Sequence, residues 1–139
     1  MNVEINYIVH STEDPNKILI SLSNMLKIKI DKRNIKRYDV TGHYGNPLSY
    51  VIIKIKNKQA GHILKRVLNL LPESEKFNLL NNLEEYFHKS TFYLRVNKQN
   101  MCLGYISLSE EDAVRFVFKG VKREYIKKLL EEGDKHVLL

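Results

Sequence analysis

Polar and apolar residues alternate along the first ten positions of the chain. Val3, Ile5, Tyr7 and Val9 fall on one side, and Asn2, Glu4, Asn6, Ile8 and His10 on the other. A period of two predicts a strand with one buried face. At Ser11-Thr12-Glu13-Asp14-Pro15 the pattern changes. Asp14 is placed to cap a helix, and Pro15 fits the first helical position, where a missing N–H costs nothing. Ile18, Leu19, Leu22, Met25 and Leu26 then recur at helical spacing and form one apolar face. Residues 27–34 predict a charged loop with a brief extended piece at 28–30. Two β-rich runs follow, 35–41 and 48–55, and Ser49, Val51, Ile53 and Ile55 of the second alternate with Tyr50, Ile52, Lys54 and Lys56. Its last lysines therefore project from one face.

The two runs are joined by Thr41-Gly42-His43-Tyr44-Gly45-Asn46-Pro47. Glycine supplies backbone angles that a Cβ forbids, and Pro47 pushes Asn46 towards extended geometry, so this segment is a turn on chemistry alone. Asn57 is the expected cap of a helix whose apolar positions are Ile63, Leu64, Val67, Leu68 and Leu71, stopped by Pro72. A second helix is predicted over 73–87, with Phe77, Leu80, Leu83 and Phe87 inward. Beyond it lie a strand over 91–96, a polar stretch Asn97-Lys98-Gln99-Asn100, a strand over 101–108 opened by Gly104, a turn at Glu110-Glu111-Asp112, a strand over 113–118 and a break at Gly120. A closing helix through Tyr125, Ile126, Leu129 and Leu130 is expected to end at Gly133, leaving 134–139 as a loosely held tail. Hairpins and helices are segregated rather than strictly alternating. The expected class is α+β, one domain over residues 1–139 with a largely antiparallel sheet and helices packed on one side.

Composition narrows what such a domain does. The 139 residues, 43% hydrophobic and 28% charged, suit a single globular unit. One cysteine, Cys102, forms no internal disulfide, and no run nears the roughly 20 apolar residues of a membrane span. The N-terminus lacks the pattern of a signal peptide, so a cytoplasmic location with no membrane partner is expected. The formal charge is +7, and residues 31–66 alone carry nine basic and two acidic side chains. A basic block on an otherwise balanced chain suggests a polyanion partner, although a solvated lysine-rich surface has the same composition.

Catalytic chemistry finds little support. His10, Glu13, Asp14, His43, His62 and His88 bring metal-capable atoms, but no pair has a recognised ligand spacing. For His10, Glu13 and Asp14, roles at the start of the first helix suffice. A metal-dependent hydrolase would need His10 and His43 to meet beside a carboxylate. There is no glycine-rich phosphate loop, and Cys102 is flanked by apolar residues, as a core thiol would be. No catalytic residue, metal or cofactor is assigned. Nucleic-acid chemistry fits better, because Tyr38, His43, Tyr44 and Tyr50 are interleaved with the basic block, and Tyr93 and Arg95 share one side of another strand. Tyrosines also pack with only their hydroxyls at a sheet rim, so each taken alone has a structural reading.

Three stretches together resemble an archaeal family of RNA-binding or exosome-subunit-like proteins. They are His10-Ser11-Thr12-Glu13-Asp14, Gly42-His43-Tyr44-Gly45-Asn46-Pro47, and Leu94-Arg95-Val96-Asn97-Lys98-Gln99 followed by Gly104. Tyr44 and Asn97 stand where Phe and Asp are common. The resemblance implies a fold like that of the ribosomal protein that binds 5S rRNA. It also implies RNA binding without nuclease activity and leaves room for association with RNA-processing proteins such as the exosome. The expectation is then a non-enzymatic RNA-binding protein: Lys54, Lys56, Lys58, Lys65, Arg66, Arg95 and Lys98 engage phosphates, and His43 and Tyr44 contact bases. The competing reading is an assembly module whose basic face meets an acidic protein.

Overall fold

A computed structural model describes the backbone of residues 1–137 and the side chains of residues 1–132. The described residues form six strands, β1 (Asn2–His10), β2 (Ile35–Thr41), β3 (Pro47–Lys56), β4 (Phe87–His88), β5 (Thr91–Asn97) and β6 (Ala113–Lys119), and five helices, α1 (Pro15–Leu26), α2 (Asn57–Leu70), α3 (Glu73–Asn81), α4 (Lys98–Leu103) and α5 (Arg123–Val137), in the order β1-α1-β2-β3-α2-α3-β4-β5-α4-β6-α5. The strands form one sheet in the order β2-β3-β1-β6-β5-β4, and every neighbouring pair is antiparallel. The α+β class with an antiparallel sheet is therefore as the periodicity predicts.

Alternation sets which face is buried. Val3, Ile5, Tyr7 and Val9 of β1 share a face with Val51, Ile53 and Ile55 of β3, Phe92, Leu94 and Val96 of β5, and Val114, Phe116 and Phe118 of β6. The Phe92, Phe116 and Phe118 rings stack at about 6 Å spacing within it, 6.1 Å and 6.0 Å between successive centroids. Against this face lie Ile18, Leu22, Met25 and Leu26 of α1, Ala60, Ile63, Leu64, Val67 and Leu68 of α2, and Ile126 and Leu130 of α5. Each such large side chain contributes roughly 1.5–3 kcal/mol on burial, so the helices are held to one side of the sheet. The other side carries the alternate residues and is not covered by these helices, although Asn6 and Val117 are buried on it and Tyr86, Leu108 and Ser109 flank Tyr93 and Arg95 at its β5 end.

Asp14 caps α1 as expected, its carboxylate accepting from Asn16 N at 2.9 Å, and Pro72 follows the extended Leu71 that ends α2. Several expectations fail for identifiable reasons. No strand runs over 101–108. The Asn97 side chain instead accepts from Asn100 N at 2.8 Å and starts α4, while Gly104, at φ 103°, takes the left-handed position that closes it. The apolar run is thus one helical turn: Met101 is buried, Cys102 half-buried and Leu103 exposed. The helix predicted over 73–87 stops at Asn81. A 3₁₀ turn over Leu83–Tyr86 replaces its second half, and Phe87 enters β4. On α3 the buried positions are Lys76 and Leu79, and Phe77 is exposed.

Asn57 does not cap α2. It is the first residue of the helix, at φ 59°, and its N–H donates to the Met1 carbonyl at 2.9 Å. The piece at 28–30 is not a strand, and Lys32–Asn34 is a 3₁₀ turn capped by Asp31. Finally α5 passes Gly133 and runs to Val137, and the end of the expected tail, residues 138–139, lies outside the described residues. Among the described residues no helix is long and apolar enough to cross a membrane.

Candidate nucleic-acid interface

The strand register lays out the open face row by row. One row crosses five strands: Lys36, Ile52, Asn6, Arg115 and Arg95 are successive cross-strand partners. Four inter-strand steps make that row about 19 Å long. A parallel row holds Lys54, Glu4, Val117 and Tyr93, and the next holds Lys56, Asn2, Lys119 and Thr91. On the other side of the first row Tyr38, Tyr50 and Ile8 are neighbours. The open face therefore collects Lys36, Lys54, Lys56, Arg95, Arg115 and Lys119 with Tyr38, Tyr50 and Tyr93.

Local geometry sharpens this layout. The Arg115 guanidinium lies over the Tyr93 ring, 5.3 Å from its centroid. At the β2–β3 end, Arg33, Lys36, Lys54 and Lys56 line a shallow depression floored by Ile52 and flanked by Asn34 and Gln59. Carboxylates interrupt the positive field: Glu4 in the middle of the face, Glu110 at its rim, 4.0 Å from Arg95, Asp112 in the hollow that Arg95 and Arg115 also line, and Glu85 in the one lined by Tyr93 and Arg95.

The β2–β3 turn stands beyond the sheet. Gly42 N donates to Asn46 O at 2.6 Å and Gly45 N to Gly42 O at 3.0 Å, with Gly45 at φ 81°. That conformation is one a Cβ resists. The turn presents the His43 and Tyr44 rings edge to face, 4.9 Å between centroids, and Tyr44 is 91% exposed.

The residues expected to touch RNA are thus split. Lys54, Lys56 and Arg95 lie on the open face, and His43 and Tyr44 at the hairpin tip. Lys58 is exposed in the first turn of α2. Lys65 and Arg66 belong to the helical layer on the far side. Lys65 lines a groove with Leu68, Tyr125 and Lys128, and Arg66 donates to the Met25 carbonyl at 3.0 Å.

Lys98 requires correction. Its side chain is fully buried, and its ammonium donates to the Ile8 carbonyl at 2.6 Å, Glu13 Oε1 at 2.8 Å and Asp112 Oδ1 at 2.9 Å. All three N–H donors are used, so no phosphate can reach this group. Glu13 also accepts from His10 N and from Gln99, and His10 Nε2 lies 3.2 Å from Asp112 Oδ1. Burial alone would raise the Glu13 and Asp112 carboxyls. The Lys98 hydrogen bonds and charge outweigh it and hold both below their usual values, with the His10 amide helping Glu13 and the His10 ring helping Asp112. His10 thus belongs to this ion cluster, while His43 sits on the hairpin. Among the described residues no three His, Cys, Asp or Glu side chains are arranged to hold a metal ion.

Arg115 and Lys119 were not singled out from the sequence. The signal was present, because Ala113, Arg115, Val117 and Lys119 alternate with the buried Val114, Phe116 and Phe118. What the sequence lacked was the register that sets Arg115 between Asn6 and Arg95.

Known proteins share both sequence and fold with this chain. An RNA-binding protein of Pyrococcus abyssi is 29% identical over 140 residues, covering 94% of this chain and 91% of its own. An uncharacterised protein of Methanocaldococcus jannaschii is 27% identical over 124 residues, 84% of this chain and 82% of that one. The crystal structure of a Sulfolobus solfataricus protein superposes with a TM-score of 0.80 over 98% of this chain and 99% of that chain, at 22% identity, and so shares the fold. The model of the RNA-binding family matches residues 2–120, which takes in all six strands and every residue of the open face, and the chain belongs to that family.

Proposed function

We propose that the protein binds RNA on the open face of its sheet, as a non-catalytic binding module. The observation that carries this reading is the register, which gathers six cations and three tyrosines on the one face the helices leave bare. Backbone phosphates would pair with Lys36, Lys54, Lys56, Arg95, Arg115 and Lys119. Unpaired bases would stack on Tyr38, Tyr50 and Tyr93, with His43 and Tyr44 adding contacts from the hairpin tip. A duplex offers no exposed base faces to such a platform, so a single strand is the favoured ligand. The family description and the name of the Pyrococcus relative support RNA as the polyanion.

Lys58 lies close enough in sequence to Lys56 to extend this surface, whereas Lys65 and Arg66 would serve a ligand only on the helical side. Association with RNA-processing proteins such as the exosome, and kinship with the 5S-rRNA-binding ribosomal fold, rest on the sequence resemblance alone and form part of the proposal.

Fluorescence anisotropy with a mixed single-stranded RNA oligomer at several salt concentrations tests the reading. If about five phosphates are neutralised, log affinity falls against log salt with a slope near −3.5. Absence of binding at low salt overturns it. Retention of an acidic protein partner after nuclease treatment, with no crosslinked RNA, would favour the assembly-module reading instead.

A further inference from the structure

The two edges of the sheet are built differently. β4 is two residues long, and brevity is one of the ordinary ways to deny a template to another chain. β2, at the opposite edge, runs seven residues without proline, and its register with β3 is continuous, with no bulge. Among the described residues no strand pairs with its outer side. Tyr38 and Val40 are 48% and 50% exposed there, and Ile8, beside Tyr50, is 41% exposed. An apolar patch therefore reaches the edge itself.

The charges on β2 favour one particular occupant. Arg37 and Asp39 flank Tyr38 on the side away from the open face, and both remain largely exposed, at 50% and 78%. Within the chain Arg37 Nε donates to Asp39 at 3.2 Å, and Ser49 orients both, its hydroxyl donating to Asp39 at 2.7 Å and accepting from Arg37 at 3.1 Å, so across the seam each ion pair is extended rather than newly made. Consider two copies of β2 meeting antiparallel about a two-fold axis through Tyr38. Arg37 of each copy then lies opposite Asp39 of the other, Lys36 opposite Val40, and Ile35 opposite Thr41. No like charges meet. Centring the axis on Arg37 or on Asp39 instead sets like charges face to face, which destabilises a cross-strand pair. A shift by a single residue places the open face of one copy beside the helical face of the other. Of the face-matched registers that pair five or more residues of β2, this one alone opposes no like charges.

We propose that β2 is a homodimerisation edge, joining two copies through this register into one twelve-stranded antiparallel sheet, six strands from each copy. Both open faces lie on the same side of that sheet, so a ligand track across one copy continues onto the next. A single seven-residue seam falls at the small end of protein interfaces, below about 1,200 Å². The dimer is accordingly concentration-dependent, with Kd on the order of micromolar.

Sedimentation velocity of the full chain without RNA, over a wide concentration range, tests the proposal. The unmodified protein passes from one to two chain masses as concentration rises. Arg37→Asp and Asp39→Arg each weaken self-association about tenfold or more, because each sets like charges opposite one another twice. An equimolar mixture of the two variants regains the dimer, since the all-acidic edge then meets the all-basic one. A protein that stays monomeric throughout, a dimer indifferent to both variants, or a mixture that fails to associate overturns the proposal. Hydrogen exchange of the unmodified protein gives a second measure: the outward amides of β2 gain protection at high concentration, and equal exchange at both concentrations overturns it.

Discussion

The Lys98 ammonium lies 2.8 Å from the Glu13 carboxylate, and this contact ties the start of α4 to the segment before α1 across 85 residues of sequence. The same ammonium binds Asp112 and the Ile8 carbonyl, so it ties the end of β1, the approach to α1, the start of α4 and the loop before β6 into one polar cluster. Replacing Lys98 with Met leaves Glu13 and Asp112 without their cation. Removing one partner of a fully buried pair costs about 3–5 kcal/mol, and because water reaches Asp112, which is 38% exposed, the loss here should be about 2–3 kcal/mol. Chemical denaturation at neutral pH should show a loss of that size. Because the group is enclosed, RNA affinity of the folded variant should stay within about twofold of the parent.

Acid should act through the same cluster. Glu13 and Asp112 titrate below their usual values of 4.5 and 3.8, since the cation outweighs the cost of burial. A carboxyl depressed in the folded state adds stability that is complete above its unfolded value and vanishes as pH falls through the folded one. The melting temperature should therefore be insensitive to these groups above about pH 5.5 and decline below about pH 4.5. In the Lys98→Met variant the depression weakens, because burial then acts without the cation and only the His10 contacts oppose it. Its deficit relative to the parent should shrink as the buffer is taken from pH 7 to pH 3.

The cluster also marks where the sequence stopped being informative. β1, β3, β5 and β6 were readable because their buried face repeats every second residue, and α1 and α2 because theirs repeats at helical spacing, whereas the two residues of β4 are too few to show a period and fell at the end of a predicted helix. Lys98 offered no such pattern: a lysine in a polar stretch gives no sign that its partners lie at positions 13 and 112. The 98–103 helix was missed for a different reason. Asn97 and Gly104 are a helix start and a helix stop, yet only six residues separate them, too few for a helical period to outweigh the apolar character of Met101, Cys102 and Leu103. For the open face, Lys54, Lys56, Tyr93 and Arg95 followed from alternation within single strands. Arg115 joined them only through pairing of β6 with β1 and β5, a long-range fact.

Alanine at position 97 separates capping from surface chemistry. Asn97 sits at the end of β5, and its side-chain oxygen takes up the Asn100 N–H at 2.8 Å. Losing an N-cap of this kind typically costs about 1 kcal/mol. A thermal melt should show that modest loss in Asn97→Ala, with binding to RNA unaltered once the protein is folded.

Charge reversal on the open face should do the opposite. Lys54 and Lys56 are exposed at the end of β3 and make no ion pair among the described residues. The Lys54→Glu, Lys56→Glu double variant should melt close to the parent, since surface changes of this sort usually stay within about 0.5 kcal/mol each. Binding should fall at least about tenfold, and the salt slope should flatten by about 1.4, the share of two lost phosphate contacts on a single strand. An unchanged slope would place the ligand on another surface.

Stacking makes a distinct prediction at Tyr50 and Tyr93, which lie three strands apart on the open face. An aromatic platform binds bases through ring area rather than through the phenol, and its loss costs about 1–3 kcal/mol per stacked base. Tyr50→Ala and Tyr93→Ala should each weaken RNA binding by about 5- to 150-fold, the range those energies convert to. The corresponding phenylalanine variants should bind within about twofold of the parent, because the ring is kept. Tyr50→Ala should leave the salt slope unchanged and Tyr93→Ala should not flatten it, since neither removes a phosphate contact. Tyr93 carries a further condition: Arg115 rests on its ring, so Tyr93→Ala also frees that guanidinium. If stacking matters, Tyr93→Ala should still lose affinity although Arg115 becomes more available to phosphate. If charge alone matters, the same variant should bind as well as the parent, and anisotropy titrations of Tyr93→Ala beside Tyr93→Phe would separate the two.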